Sequence, residues 1–105
     1  MPVSARAAQC VHTECDYIDV DVATDSTTVY DGPCIYYGAT VTTVLSAHVL
    51  PIQDNATPID AFAASAAVGT SHNFAAGVKC YTSLVVDPND AATGHVTVYY
   101  RPLNV

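Results

Sequence analysis

The chain has 105 residues and a formal net charge of −7; only 12% of its residues are charged, whereas 50% are hydrophobic. This length allows one domain with a modest core. Three scattered basic residues argue against direct nucleic-acid binding, and no apolar run approaches the roughly 20 residues of a membrane span. A surface poor in charge and rich in Tyr and small residues is typical of a contact surface, or of an ordinary Thr-rich β-domain.

Residues 1–15 are predicted to form an N-terminal arm, because they are rich in Ala and Ser and have no sustained hydrophobic period. The arm lacks the apolar stretch of a secretory signal, so we expect a soluble protein made in the cytoplasm. A neighbouring subunit is expected to hold the arm in place. The remaining residues, 16–105, are predicted to form the folded domain.

Alternation of apolar and polar residues predicts the first strands. In Asp16 to Val22 the aliphatic side chains point inward, and the Tyr and Asp side chains between them point outward. A long β-rich run begins at Cys34, and Gly38 within it predicts a bulge or bend. Pro51 has no amide hydrogen, so its strand is expected to lie at an edge or to be bulged.

The stretch Gly77 to Arg101 predicts a hairpin. Val78, Cys80, Leu84 and Val86 share one face of its first arm. The second arm alternates in the same way, with Val96, Val98 and Tyr100 inward and His95, Thr97, Tyr99 and Arg101 outward. Residues 87–94 between the arms supply Pro, Asn, Asp and Gly for a turn.

The segment Thr57 to Gly69 has the signals of a short helix as well as those of a β-protein. The helix would cover about residues 58–67. Thr57 could cap it, Pro58 suits the first helical position and Gly69 could end it. The alternative is an Ala-rich connection between sheets. Val68 to Ala76 is interpreted as a loop with Phe74 in the core. The predicted fold is all-β: an antiparallel β-sandwich of about seven to eight strands, with this one possible helix.

The cysteines are the first candidates for chemistry. Cys10, His12 and Cys15 form a C-x-H-x-x-C pattern that Cys34 and Cys80 could complete as a zinc site, but the spacing differs from that of common zinc folds. Cys80 lies on the apolar face of its strand, where cysteines are usually small buried hydrophobes. A Cys10–Cys15 disulfide is the second alternative, and free thiols are the default expectation for a reducing cytoplasm. We predict no metal and no other cofactor.

The acidic cluster around the first strand suggests calcium as an alternative. Asp19 and Asp21 project from one strand face about 7 Å apart, which is too wide to chelate one ion unaided. A solvated strand face is therefore the preferred interpretation. The four histidines belong to no recognised catalytic motif, so the sequence predicts no enzyme. They are His12, His48, His72 and His95.

The order of several short segments resembles small β-sandwich accessory proteins of tailed bacteriophages, including capsid decoration or cement proteins. The segments are D-G-P-C-I-Y-Y-G at 31–38, P-I-Q-D at 51–54, N-F-A-A-G-V-K-C-Y-T-S-L-V-V at 73–86 and G-H-V-T-V-Y-Y-R at 94–101. The likeness covers Asp16 to Pro102 and consists of a pattern of strands and glycines. It carries no catalytic residue with it.

This resemblance implies a structural virion protein that binds the major capsid protein and stabilises the assembled head. A homotrimer is expected, because capsid lattices offer local three-fold positions. Tyr36, Tyr37, Tyr81 and Tyr99 are candidate interface residues, and alternation places Tyr81 and Tyr99 outward. The alternative is a fibre or tail-associated module that recognises a host surface glycan.

Overall fold

A computed structural model of the chain describes residues 15–103, which form eight β-strands and no helix. The predicted arm therefore lies outside the described residues except for Cys15. The strands are β1 (Asp16–Asp21), β2 (Thr27–Tyr30), β3 (Cys34–Thr43), β4 (Leu50–Asp54), β5 (Thr57–Phe62), β6 (Ser71–Cys80), β7 (Leu84–Val86) and β8 (His95–Pro102). The predicted all-β class and strand number are confirmed.

The strands make two four-stranded antiparallel sheets. Sheet A has the order β1-β8-β3-β6, and sheet B has the order β2-β7-β4-β5. Nearly every connection crosses from one sheet to the other, as expected for a sandwich. Among the described strands, β4 and β5 are the one consecutive pair that hydrogen-bonds directly. Their two-residue turn places Asn55 at a φ of 56°, a conformation that Asn tolerates.

The core lies between the two sheets and receives alternate side chains from both. Its aliphatic part is built mainly by valines of sheet A against larger side chains of sheet B. Each strand can therefore bury one face and keep the other outward. Sheet A contributes Val20, Ala39, Val41, Val96 and Val98, and sheet B contributes Leu50, Ile52, Phe62, Leu84 and Val86.

Several local predictions are confirmed. β1 buries Val20 and exposes Asp19 and Asp21, as its alternation predicts. Gly38 lies at a bulge, since the register of β3 shifts between Tyr36 and Gly38 against both neighbouring strands. The strand containing Pro51 is bulged against β5, although it is not an edge strand.

The predicted helix near residues 58–67 is wrong. Thr57–Phe62 is strand β5, and it pairs along its length with β4. The capping signals at Thr57 and Pro58 are local preferences, whereas pairing with β4 buries Phe62 completely. Tertiary packing therefore outweighs helix propensity in this segment. Pro58 is accommodated because β5 is an edge strand of sheet B.

The predicted hairpin of residues 77–101 is also wrong. Its first arm is divided between β6 in sheet A and β7 in sheet B, and β8 pairs with β1 and β3. In this arm Thr82 interrupts the apolar face between Cys80 and Leu84, and the chain changes sheets at this residue. The predicted loop from Val68 to Ala76 is wrong from Ser71 onward, because β6 begins there. Phe74 packs against the core and contacts the ring of Tyr36, at 5.8 Å between ring centroids.

Candidate interaction surface

The side of sheet A that faces away from the core is the candidate site, and we call it the outer face. Alternation turns every second residue of its strands outward. The register then places polar and aromatic side chains of neighbouring strands beside one another. The outer face comprises Tyr17, Asp19, Asp21, Ile35, Tyr37, Thr40, Ser71, Lys79, His95, Thr97, Tyr99 and Arg101.

Tyrosines occupy one row of the outer face. Tyr17 on β1 pairs with Tyr99 on β8, and Tyr99 in turn pairs with Gly38 on β3. Tyr17 is 68% exposed, whereas Tyr99 is half-buried by its neighbours. Such amphipathic rings provide contact area with little loss of side-chain freedom, which is why tyrosine is enriched at interfaces.

Tyr37 continues this row but is largely covered. A Cβ on Gly77 would collide with Ile35 and would lie 3.2 Å from the ring of Tyr37, so both side chains lie over Gly77 on the outer face. The absence of a side chain at Gly77 lets them pack down onto β6. Tyr37 is consequently 7% exposed and gives little surface to a partner.

The two ends of the outer face carry opposite charge. Arg101 pairs with Ile35, and Ile35 pairs with Lys79, so both basic side chains lie in one row across three strands. At the other end Asp19 and Asp21 lie beside His95. His95 Nδ1 is 2.9 Å from Asp19 Oδ2, and its Nε2 is 3.8 Å from Asp21 Oδ1. The outer face therefore has a basic end and an acidic end.

Tyr81 extends the surface just beyond the basic end. It is 70% exposed, and the Nζ of Lys79 lies 4.8 Å from the centre of its ring. A cation above an aromatic face is attracted by the electron density of the ring. Tyr81 and Lys79 thus form an exposed pair with both aromatic and basic character.

Asp54 fixes the corner that carries Tyr81. Its carboxylate accepts backbone hydrogen bonds from Tyr81, Thr82 and Ser83 at 2.9, 3.0 and 3.2 Å. Desolvation of the carboxylate favours the neutral form, but the three N–H donors outweigh it and lower the pKa of Asp54 below its usual value. The corner between β6 and β7 is therefore held by an ionised side chain of sheet B.

Tyr36 has a different role from the other candidate tyrosines. Its side chain is fully buried, and its hydroxyl donates to Asp60 Oδ2 at 2.7 Å. Burial, and then this hydrogen bond, raises the pKa of Tyr36 far above its usual range. Tyr36 is thus a core residue that offers no surface for docking.

Asp60 links the edge strands of the two sheets. Besides Tyr36, its carboxylate contacts His72 Nδ1 at 2.9 Å, and the His72 ring stacks on Phe62 at 4.1 Å. The Asp60 side chain is only 8% exposed, so the contacts with Tyr36 and His72 replace most of the water that its carboxylate loses on burial. The cluster joins β5 of sheet B to β3 and β6 of sheet A, and we interpret it as structural.

Two of the cysteines face each other across β3 and β6. Cys34 pairs with Cys80, both side chains are fully buried and both are free thiols. The hydrogen bond between the two thiols, followed by burial, raises the pKa of Cys80. Such a thiol is unreactive while it remains buried.

The other cysteine predictions have separate outcomes. Cys15 is disulfide-bonded, so the expectation of a free thiol is wrong at this residue. Cys10 belongs to both the proposed zinc pattern and the proposed disulfide, and His12 belongs to the zinc pattern. Both residues lie outside the described residues. Within residues 15–103, no group of three or more His, Cys, Asp or Glu side chains is arranged to hold a metal ion.

Sequence patterns indicate some of these residues and miss others. Alternation alone places Tyr99 and Arg101 outward. It does not place Lys79 near Arg101, because that requires β3 to lie between β6 and β8. The role of Asp60 was also missed: it precedes Phe62 by two residues, so a strand assignment would have turned both toward the core and required a partner for the carboxylate.

Comparison with known proteins gives no match to this chain among family models, curated proteins or solved structures. No helix within residues 15–103 is long and apolar enough to cross a membrane. The chemistry of the outer face and of the Tyr81 corner is therefore the basis for assigning a function.

Proposed function

We propose that the protein is a structural accessory protein of a tailed-phage virion, a decoration or cement protein on the capsid surface. The observation that carries the proposal is the outer face, a broad sheet surface with the Tyr17–Tyr99 row near its middle and its charged residues toward its two ends. Surfaces of this composition suit protein contact, since aromatic residues are enriched and most charged residues depleted at interface centres. The resemblance of the segments between Asp16 and Pro102 to phage accessory proteins supplies the identity of the partner.

The partner in this proposal is the major capsid protein in its assembled lattice. A protein that binds the lattice and not the free or unfolded shell protein stabilises the lattice by mass action. Three copies grouped at a local three-fold position would each contribute one such contact. The excess of acidic residues favours docking on a basic shell surface. The proposal includes no catalytic step, no nucleic-acid contact and no membrane.

Tyr81 and Tyr99 provide the test of docking. Substituting either by Asp places a charge on the contact surface, where its desolvation opposes binding. We expect Tyr81→Asp and Tyr99→Asp to lower occupancy on the capsid and the temperature at which particles release DNA. The isolated protein should stay folded, because Tyr81 is exposed and Tyr99 half-buried. Val68→Asp is the matched control, since Val68 is 63% exposed and lies in the connection before β6.

Particles that lack the protein separate this function from the recognition alternative. The proposal requires them to be more sensitive to heat and osmotic shock than intact particles, with normal adsorption to cells. Particles that withstand both stresses but fail to adsorb would contradict it and would support a fibre or tail module that binds glycan.

A further inference from the structure

The charge on the outer face reverses along the strand direction. Arg101 and Lys79 lie in the row at one end, and Asp19 and Asp21 lie toward the other. Between them is the uncharged Tyr17–Tyr99 row, and Asp19 lies in the next row beside Thr97. A surface of this kind is complementary to itself when one copy is turned end for end.

The opposite charges cannot satisfy each other within one copy. Arg101 is four residues from Thr97, the β8 residue that pairs with Asp19, so about 13 Å of strand separates the two rows. Among the described residues, every ion pair has a histidine as its cation, and neither Lys79 nor Arg101 takes part in one. Both basic side chains are exposed and available to another molecule.

We propose that the free protein forms a two-fold dimer in which the outer faces of two copies pack against each other. The two-fold axis lies in the plane where the outer faces of the two copies meet. It runs perpendicular to the strands and passes near Thr97 and Tyr99. This rotation reverses the strand direction of the second copy. It therefore brings Arg101 of each copy over the acidic end of its partner, where Asp19 and Asp21 lie.

Other orientations of the two faces are disfavoured by charge. An axis parallel to the strands would place the basic ends together and the acidic ends together, and like charges at an interface oppose association. The proposed axis instead creates two equivalent attractive contacts, since an isologous interface repeats every contact. Tyr17 and Tyr99 then lie near the centre, where aromatic side chains contribute most to binding.

The size of the outer face sets the expected affinity. Eight residues of β8 span ~27 Å and four strands span ~19 Å, which gives roughly 500 Å² per copy. Two such faces bury about 1,000 Å², the lower limit for a specific interface. Interfaces of this size are typical of weak, transient complexes, so we expect a dimer Kd in the micromolar to millimolar range. The dimer and the proposed shell contact use the same outer face, so a copy must leave the dimer before this face can dock on the shell, and a weak dimer allows this exchange.

Sedimentation equilibrium of the purified full chain tests the dimer. Over about 10 μM to 1 mM, the range in which a small interface dissociates, we expect a monomer–dimer equilibrium that shifts toward monomer in high salt. Arg101→Glu and Asp19→Arg should each raise the dimer Kd at least about tenfold, because each places two like-charge pairs in the interface. Asp90→Arg is the matched control, since Asp90 is an exposed acid in the connection between β7 and β8.

Mixing the two charge-reversed variants gives the decisive result. In a heterodimer of the Arg101→Glu and Asp19→Arg chains, both cross-interface pairs again join opposite charges. The mixture should therefore regain dimer that neither variant forms alone. Circular dichroism of each variant checks that the sheets remain folded. A monomer throughout the concentration range, an oligomer indifferent to both reversals, or a mixture that stays monomeric would overturn the proposal.

Discussion

At the residue scale, two backbones approach each other closely at Gly38. Its φ of 126° is a conformation that side-chain-bearing residues rarely adopt. A Cβ at this position would collide with the carbonyl oxygen of His72 and lie 2.8 Å from the carbonyl carbon. The atoms in the way belong to the backbone of β6, so they cannot turn aside as a side chain would. Gly38 therefore allows β3 to pair with β6 through the bulge.

Substitution of Gly38 tests how much the close contact between the backbones of β3 and β6 contributes to stability. We expect Gly38→Ala to reduce the free energy of unfolding by at least about 2 kcal/mol more than Gly69→Ala, because only the first adds a collision to backbone strain. Gly69 also has a positive φ, of 92°, but has no atom within 4 Å of the added Cβ. The free energies are measured by urea unfolding, with tyrosine fluorescence as the signal. If Gly38→Ala and Gly69→Ala lose the same free energy of unfolding, β6 can move away from the added Cβ.

The buried thiols give a second prediction at this scale. Cys34 and Cys80 are fully buried, so neither should react with iodoacetamide in the native protein. After unfolding without reductant, mass spectrometry should find both residues alkylated, while Cys15 stays protected by its disulfide. Alkylation of Cys34 or Cys80 in the native protein would contradict their burial. An unfolded chain in which both stay unmodified would indicate a bond between them.

At the element scale, two carboxylates of sheet B hold parts of the chain that lie outside that sheet. Asp54, at the end of β4, binds the corner that leads from β6 to β7. Asp60 on β5 binds Tyr36 and His72 of sheet A. Because most connections cross between the sheets, such contacts replace the tight hairpins that are common in antiparallel folds.

The Asp54 corner predicts a dependence of stability on pH. Because the pKa of Asp54 is lowered on folding, its contribution is complete above the unfolded value of 3.8 and is lost as the pH falls through the folded value. Asp54→Asn should cost about 1 kcal/mol at pH 7, a reduced figure because solvent screens the corner. Between pH 5 and about 2, the variant should lose less stability than the wild type.

Asp90→Asn is the control for this measurement, since Asp90 is exposed. It should follow the wild-type profile at every pH. If Asp54→Asn also loses the same amount of stability as the wild type on acidification, the carboxylate does not hold the corner in its ionised form.

How far the elements can be predicted from sequence depends on how local their causes are. Alternation in β1 and β8 and the glycine at the β3 bulge are local signals, and they lead to the right structure. Thr57 and Pro58 also give a local signal, but for a helix, and pairing with β4 overrides it. The corner at Thr82 is set by Asp54, 28 residues away, so no short window contains its cause.

At the scale of the whole molecule, the candidate site follows from strand order. The outward direction of Tyr99 and Arg101 is predictable from the alternation of β8, and that of Tyr81 from the alternation of the residues before it. The basic row requires β3 between β6 and β8, and the acidic end requires β1 beside β8. Strand order is a property of long-range pairing, which the sequence pattern does not encode. The charge reversal on the outer face is therefore visible only in the folded molecule.

The copy number of the protein in purified phage particles tests the proposed function most directly. A cement protein occupies a repeated site on the shell, so the gel band ratio to the major capsid protein should correspond to hundreds of copies per particle. Occupancy at this level allows many weak contacts to stabilise the lattice together. A ratio corresponding to only a few copies per particle would contradict capsid decoration and assign the chain to a fibre or tail.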